Sequence, residues 1–129
     1  DLVQPVSVDE AYLEFRPGTD GEAAAARIRQ RIFEATRCPA SAGVSCNMLL
    51  ARMATKRAKP NGLFVLRWEQ AAAYLSPMPA ADLPGVGWEL TRRLKDKGIE
   101  TCADLQRCSL TMLQVRPHAN DKPRRGWQR

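Results

Sequence analysis

The chain has 129 residues, 26% of them charged, and 20 Lys and Arg against 14 Asp and Glu leave a net charge of +6. That length suits one modest core or two small ones, and no run approaches the roughly 20 apolar residues of a membrane-spanning helix, so a soluble, intracellular protein with no membrane partner is expected. The cysteines, Cys38, Cys46, Cys102 and Cys108, form no Cys-x-x-Cys pair, and the single histidine is His118; zinc and a disulfide framework are therefore disfavoured, and reduced, mostly buried thiols are expected.

The first stretch with a pattern is Pro5 to Phe15. Val6 and Val8 fall on one face of an extended strand, and Ala11, Leu13 and Phe15 on one face of the next. Asp9 and Glu10 are left at the join. They can share a site only if the chain turns there, and a two-residue loop prefers Asn-Gly or Gly-X because it needs positive φ. Two acids in a poor turn point to function, although on its own the pair also reads as a solvated acidic tip.

Arg16-Pro17-Gly18 breaks the strand, and Thr19-x-x-Glu22 offers a capping box for an amphipathic helix over about residues 20–37. Its stripe of Ala24, Ile28, Ile32 and Ala35 is expected to pack on a sheet. After Pro39, the small residues Ala40 to Cys46 read as a strand in which Gly43 lets a backbone or a ligand come close. Asn47 then caps a helix from Met48 to about Arg57, with Leu49/Met53 and Leu50/Ala54 on an apolar side and Arg52/Lys56 on a basic one. From Arg37 to Arg67 there are six basic residues and no acid, which suits a phosphate partner.

Lys59-Pro60-Asn61-Gly62 is a turn ahead of the strand Leu63 to Leu66. Lys59 on that rigid turn is placed to meet a phosphate, or is simply an exposed lysine. Trp68 to Leu75 suits a short helix, and Ser76-Pro77-Met78-Pro79 a hinge and domain boundary. Beyond it, Leu83-Pro84-Gly85-Val86-Gly87 leads into a helix that ends at Gly98-Ile99, Thr101 caps another, and Ser109 a third. This order resembles a helix-hairpin-helix motif, in which two glycines free the backbone N–H groups to meet DNA phosphates. From Arg116 the pattern stops, so residues 116–129 are expected to be a disordered basic tail, with Trp127 available to stack.

Three separated motifs together resemble the Y-family translesion DNA polymerases. Ser7-Val8-Asp9-Glu10-Ala11 resembles the palm carboxylate motif, Ser41 to Ala51 through Lys59-Pro60-Asn61-Gly62 the second palm motif, and Leu83 to Gly98 the thumb hairpin, over roughly residues 1–113. The wording of Leu50 to Lys56 and of Gly98 to Gln106 is most similar to the eukaryotic deoxycytidyl-transferase (Rev-one) branch. The resemblance implies an α+β fold, with a partial ferredoxin-like palm sheet (residues 1–78), a small helical thumb with the helix-hairpin-helix (79–115) and the tail (116–129). It also implies DNA-templated nucleotidyl transfer through a two-metal Mg²⁺ site. Asp9 would ligate the metals, Glu10 would complete the site, Lys59 would meet the triphosphate, and Gly85 and Gly87, helped by Arg92 and Arg93, would hold the duplex.

The implied partners are primer-template DNA, a deoxynucleoside triphosphate and other translesion polymerase subunits, in the nucleus if the source is eukaryotic. The family's further metal-binding aspartate, its fingers and its polymerase-associated domain have no counterpart in these residues. The chain also starts at Asp1 rather than Met, which suggests that part of a larger protein is missing. The chain alone is therefore expected to be inactive or nearly so, with an open sheet edge. The alternatives are a non-catalytic DNA-binding module and a pseudogene remnant.

Overall fold

The structure is a computed structural model and describes residues 2–113. It opens on an antiparallel hairpin of β1 (Leu2–Pro5) and β2 (Ala11–Glu14), with Leu2 opposite Glu14 and Pro5 opposite Ala11. Val6 and Val8, expected in a strand, lie in the loop instead, and Val8 is fully exposed. The reason lies in the backbone. Among the described residues only Arg37 and Asn61 have positive φ without being glycine, so the tight turn is not available to Asp9-Glu10. The chain reverses over a longer loop, Val6 to Glu10, closed by the N–H groups of Val6 and Ser7 donating to the Glu10 carbonyl at 2.8 and 3.1 Å.

Helix α1 (Gly21–Thr36) is capped by Asp20, whose carboxylate accepts from the Ala23 N–H at 3.0 Å, rather than by the expected Thr19. Only the first half of its stripe is used: Ala24 is buried, with Ala25 beside it, while Ile32 is 38% exposed and Ala35 is exposed as well. Length explains this. A helix of that size runs roughly 24 Å, whereas the three-residue strands it packs on run roughly 10 Å.

Those strands, β3 (Ala42–Val44) and β4 (Leu63–Val65), pair in parallel and are joined by α2 (Met48–Ala58) as a β-α-β unit. Asn47 caps α2 as expected, its side chain accepting from the Leu50 N–H at 2.8 Å. Gly43 is where α2 comes closest. A β-carbon there would stand 2.6 Å from the Ala54 carbonyl carbon and closer still to the Thr55 nitrogen and the Ala51 oxygen, so what approaches Gly43 is backbone, not a ligand. Leu50, Ala54, Leu66 and Ala71 form the first core, with Phe64, Tyr74 and Leu75 packed on it. Leu49, assigned from its spacing to the apolar side, is 43% exposed.

The order hairpin, helix, strand, helix, strand matches the expected α+β half-palm, but the strands form two separate two-stranded sheets. Helix α3 (Trp68–Leu75) follows. The segment read as a hinge is hydrogen-bonded: Ser76 and Met78 carbonyls accept from the Ala103 and Cys102 N–H groups at 3.1 and 2.8 Å, and Pro79 bridges to Thr101. A short 3₁₀ turn (Ala80–Asp82) leads to α4 (Trp88–Asp96), α5 (Cys102–Arg107) and α6 (Leu110–Leu113).

Ala80, Leu94 and Ile99 make a second core, flanked by Val86, Leu90 and Leu105. The thiols are less buried than expected, with Cys38 and Cys46 exposed and Cys102 and Cys108 partly so. All four sit at helix ends or in loops, and among them Cys108 packs against the second core. Among the described residues no helix is long and apolar enough to cross a membrane. The tail, with His118 and Trp127, lies outside the described residues.

Candidate functional site

The Val6–Glu10 loop is held open by side chains as well as by backbone. The Ser7 hydroxyl donates to Asp9 Oδ1 at 2.7 Å, which orients that carboxylate on an exposed loop. Glu10 stands between two cations: its Oε2 is 4.0 Å from Arg52 Nη2 and its Oε1 is 3.8 Å from Lys59 Nζ. Both separations exceed hydrogen-bond length. The three side chains are 44% to 60% exposed, and such pairs are worth about 0 to 1 kcal/mol. The cluster therefore contributes little to holding the fold, and its cations remain free to meet another anion.

Local structure explains how they converge. Arg52 projects from the middle of α2, and Lys59 is its C-terminal cap residue, held by its N–H to the Thr55 carbonyl at 3.2 Å. Tyr12 on β2 is hydrogen-bonded to Arg52, and that bond, ahead of the charge on Glu10, pushes the already high guanidinium pKa further up. Neighbouring basic residues on α2 are occupied elsewhere. Arg57 lies over the Phe64 ring, 5.3 Å from its centroid, and Lys56 pairs with Asp82 at 3.0 Å.

Among the described residues no group of three or more Asp, Glu, His or Cys side chains comes together as a metal site. Asp9 and Glu10 are hard oxygen donors of the kind Mg²⁺ takes, an ion that usually keeps water and substrate phosphates as its other ligands. The donor chemistry of these two side chains is thus of the kind that fits Mg²⁺.

A second cluster forms at the Leu83–Gly87 hairpin. Val86 N–H donates to the Leu83 carbonyl at 3.1 Å with Pro84 second and Gly85 third in the turn, and Gly85 has φ +88°, as a type II turn requires. Gly87 has φ −85° and ψ 179°, ordinary extended backbone open to any residue. Only one of the two glycines is therefore needed for its conformation. No side chain caps α4 at Gly87, so the first N–H groups of that helix face outward without a side-chain partner.

Arg92 and Arg93 are not free cations. Glu89 pairs with both, at 3.3 and 3.0 Å, and the hydrogen bond from Arg93 is the main cause of a lowered Glu89 pKa. Arg92 also lies 5.7 Å from the centroid of the exposed Trp88 ring. In the sequence Arg52 reads only as part of a basic face, and nothing there signals the contacts of Tyr12 and Trp88. A position four residues after Met48 says nothing of which strand it will face.

A family model described as the impB/mucB/samB family matches residues 1–56, and one described as the thumb domain of DNA polymerase-iota matches residues 81–116. DNA polymerase IV of Alkalilimnicola ehrlichii is 44% identical over 117 residues, covering 88% of this chain and 33% of that protein. DNA repair protein Rev1 of Drosophila melanogaster is 41% identical over 118 residues, covering 87% of this chain and 12% of that one. The crystal structure of DinB from Sulfolobus solfataricus superposes with a TM-score of 0.76 at 31% identity, over 88% of this chain and 35% of that chain. The chain belongs to the Y-family of DNA polymerases. A Dbh ternary complex shares the fold as well, at a TM-score of 0.78 and 32% identity, over 88% of this chain and 35% of that one.

This Y-family chain thus spans 33% of the length of its polymerase IV relative. Its carboxylate loop and Arg52 fall in the first matched segment and its hairpin in the second, with Lys59 between them. At 44% and 41% identity, a bacterial polymerase IV and an animal Rev1 are about equally near, which does not single out the deoxycytidyl-transferase branch.

Proposed function

We propose that residues 1–78 supply the carboxylate half of a translesion polymerase palm and residues 79–115 its DNA-gripping thumb. The observation that carries this is the convergence of Glu10 with Arg52 and Lys59 within 4.0 Å, two cations around a carboxylate that does little for stability. Asp9 and Glu10 would hold Mg²⁺, which when bound activates the primer hydroxyl and neutralises the triphosphate. Ser7 orients Asp9. Tyr12 keeps Arg52 in place, and Arg52 and Lys59 offer the charge that receives the triphosphate once it displaces Glu10 from them. The open turn at Gly85 and the uncapped start of α4 would meet duplex phosphates through backbone N–H groups, with Arg92 and Arg93 adding charge as Glu89 is released.

The direct test is Mn²⁺-induced broadening of amide signals in the 129-residue chain. Broadening centred on Val8 to Ala11 is expected, and its loss in the Asp9→Ala/Glu10→Ala variant; broadening that survives in that variant would refute the metal site. Primer extension by this chain alone, with Mg²⁺ and four deoxynucleotides, is expected to give little product. Assignment to the deoxycytidyl-transferase branch, and with it a nuclear site of action, rests on the wording of Leu50–Lys56 and Gly98–Gln106. It predicts preferential incorporation of dCTP by a polymerase carrying these residues.

A further inference from the structure

Arg29 lies on α1, thirty positions before Lys59, yet its guanidinium holds the turn on which Lys59 sits. Nε donates to the Ala40 carbonyl at 2.7 Å, and Nη2 donates to the Asn61 carbonyl at 2.9 Å and to the Asn61 side-chain oxygen at 3.0 Å. Asn61 has φ 50°, one of the few residue types that adopts this left-handed conformation readily. The next residue is pinned as well, because the Gly62 carbonyl accepts from the Ala42 N–H at 3.0 Å. The Lys59–Gly62 turn is therefore fastened at one end to α2, through Thr55, and at the other to α1 and β3.

Of these fasteners Arg29 is the only side chain that reaches the turn from another element in the hydrogen bonds described. A planar, permanently charged fork suits this place, since one group serves two segments at once, and a lysine ammonium on a flexible stem could not reproduce it. Bonds from a charged donor are roughly twice as strong as neutral ones. Lys59 itself is a long, exposed side chain 3.8 Å from Glu10, so where its ammonium can reach depends on where its backbone is held. A group placed slightly off loses much of its effect on a bound reactant.

We propose that Arg29 is a positioning residue for Lys59, acting through Asn61, and that it tunes affinity for a nucleoside triphosphate without touching it. This rests on the reading of Lys59 as a triphosphate contact. The test is calorimetric titration of dCTP with Mg²⁺ into the 129-residue chain and into Lys59→Ala, Arg29→Lys and the double variant, with a thermal melt of each. Arg29→Lys is expected to weaken binding by about three- to tenfold, as for the loss of one net hydrogen bond, while still melting cooperatively.

The double variant is expected to bind no more weakly than Lys59→Ala alone, because both changes act through one ammonium; a merely structural role would make the losses add. Should Arg29→Lys fail to melt cooperatively, Asn61→Gly, which removes the side-chain acceptor while leaving the φ of 50° open to the backbone, takes its place in the same cycle. Additive losses, or wild-type affinity in the positioning variant while Lys59→Ala binds weakly, would overturn the proposal alone. Wild-type affinity in Lys59→Ala, or no triphosphate binding by the parent chain, would overturn the reading of Lys59 and the proposal with it.

Discussion

Glu10 is surrounded by charge without being bound by it. Its pairs with Arg52 and Lys59 are long and half-exposed, and exposed pairs of this kind contribute at most about 1 kcal/mol. Glu10→Gln is therefore expected to shift unfolding free energy, read by urea titration, by less than about 0.5 kcal/mol, while Mn²⁺ broadening at the loop weakens. A large loss of stability would recast Glu10 as a structural residue. Arg93 presents the opposite case. It is mostly buried, and its bond to Glu89 is 3.0 Å, so its charge is already engaged before any phosphate arrives.

Two elements show how local chemistry and packing divide the work. Helix α5 is closed by a capping box: Thr101 Oγ1 accepts from the Asp104 N–H at 3.1 Å, and the Asp104 carboxylate accepts from the Thr101 N–H at 2.9 Å. The Thr101 hydroxyl first, then its N–H, then Arg107 hold the Asp104 carboxyl well below the usual carboxylate range. A depressed folded-state pKa stabilises above the unfolded value of about 3.9 and loses that contribution as pH falls below it. The melting-temperature gap between wild type and Asp104→Asn is therefore expected to be full near neutral pH and to narrow below about pH 4. A gap that does not change with pH would count against this role.

Packing governs the other element. A β-carbon at Gly43 would collide with the backbone of α2 at Ala51, Ala54 and Thr55, and backbone of a helix cannot step aside. Gly43→Ala is expected to cost roughly 3 kcal/mol, the upper end for an overpacked core, measured by chemical denaturation. Wild-type stability there would mean that α2 can lift from β3. Leu66, only 2% exposed in the first core, should cost about 2 to 5 kcal/mol as Leu66→Ala.

At the scale of the molecule there are two cores, joined by the hydrogen bonds of Ser76 and Met78 to α5 and by the Lys56–Asp82 pair. Asp82 stands immediately before Leu83, so the hairpin starts from a point tied to α2. Net charge is +6, with ten of the 20 basic residues after residue 90. Duplex binding, followed by fluorescence anisotropy, is expected to weaken steeply with salt, by about 0.9 in the log–log slope for each phosphate contacted. It should persist in Asp9→Ala/Glu10→Ala and weaken in Gly85→Val, where a β-branched residue would have to adopt φ +88°. Loss in Asp9→Ala/Glu10→Ala with full binding in Gly85→Val would place the DNA contact at the carboxylate loop instead.

Much of this was legible in the residues. Asn47 as a cap, Trp68 to Leu75 as a helix, Gly85 in its turn and the Gly98 stop depend on neighbours within a few positions, and the three motifs were sufficient to find the family. Other features were not legible. Val6 and Val8 alternate like a strand, but the absence of any left-handed residue from Val6 to Glu10 pushed the turn back along the chain. Ile32 and Ala35 follow a helical stripe that outruns the sheet beneath it.

The sequence by itself determined the order of strands and helices, the Asn47 and Thr101 caps and the Gly85 turn, because each of these follows from local backbone preference. Only the tertiary structure decided that Arg52 and Lys59 flank Glu10, that Glu89 claims both Arg92 and Arg93, and that Arg29 reaches the Asn61 turn. These depend on which faces meet when α1 and α2 pack on β3 and β4, and no local spacing encodes the distance between residues brought together by that packing.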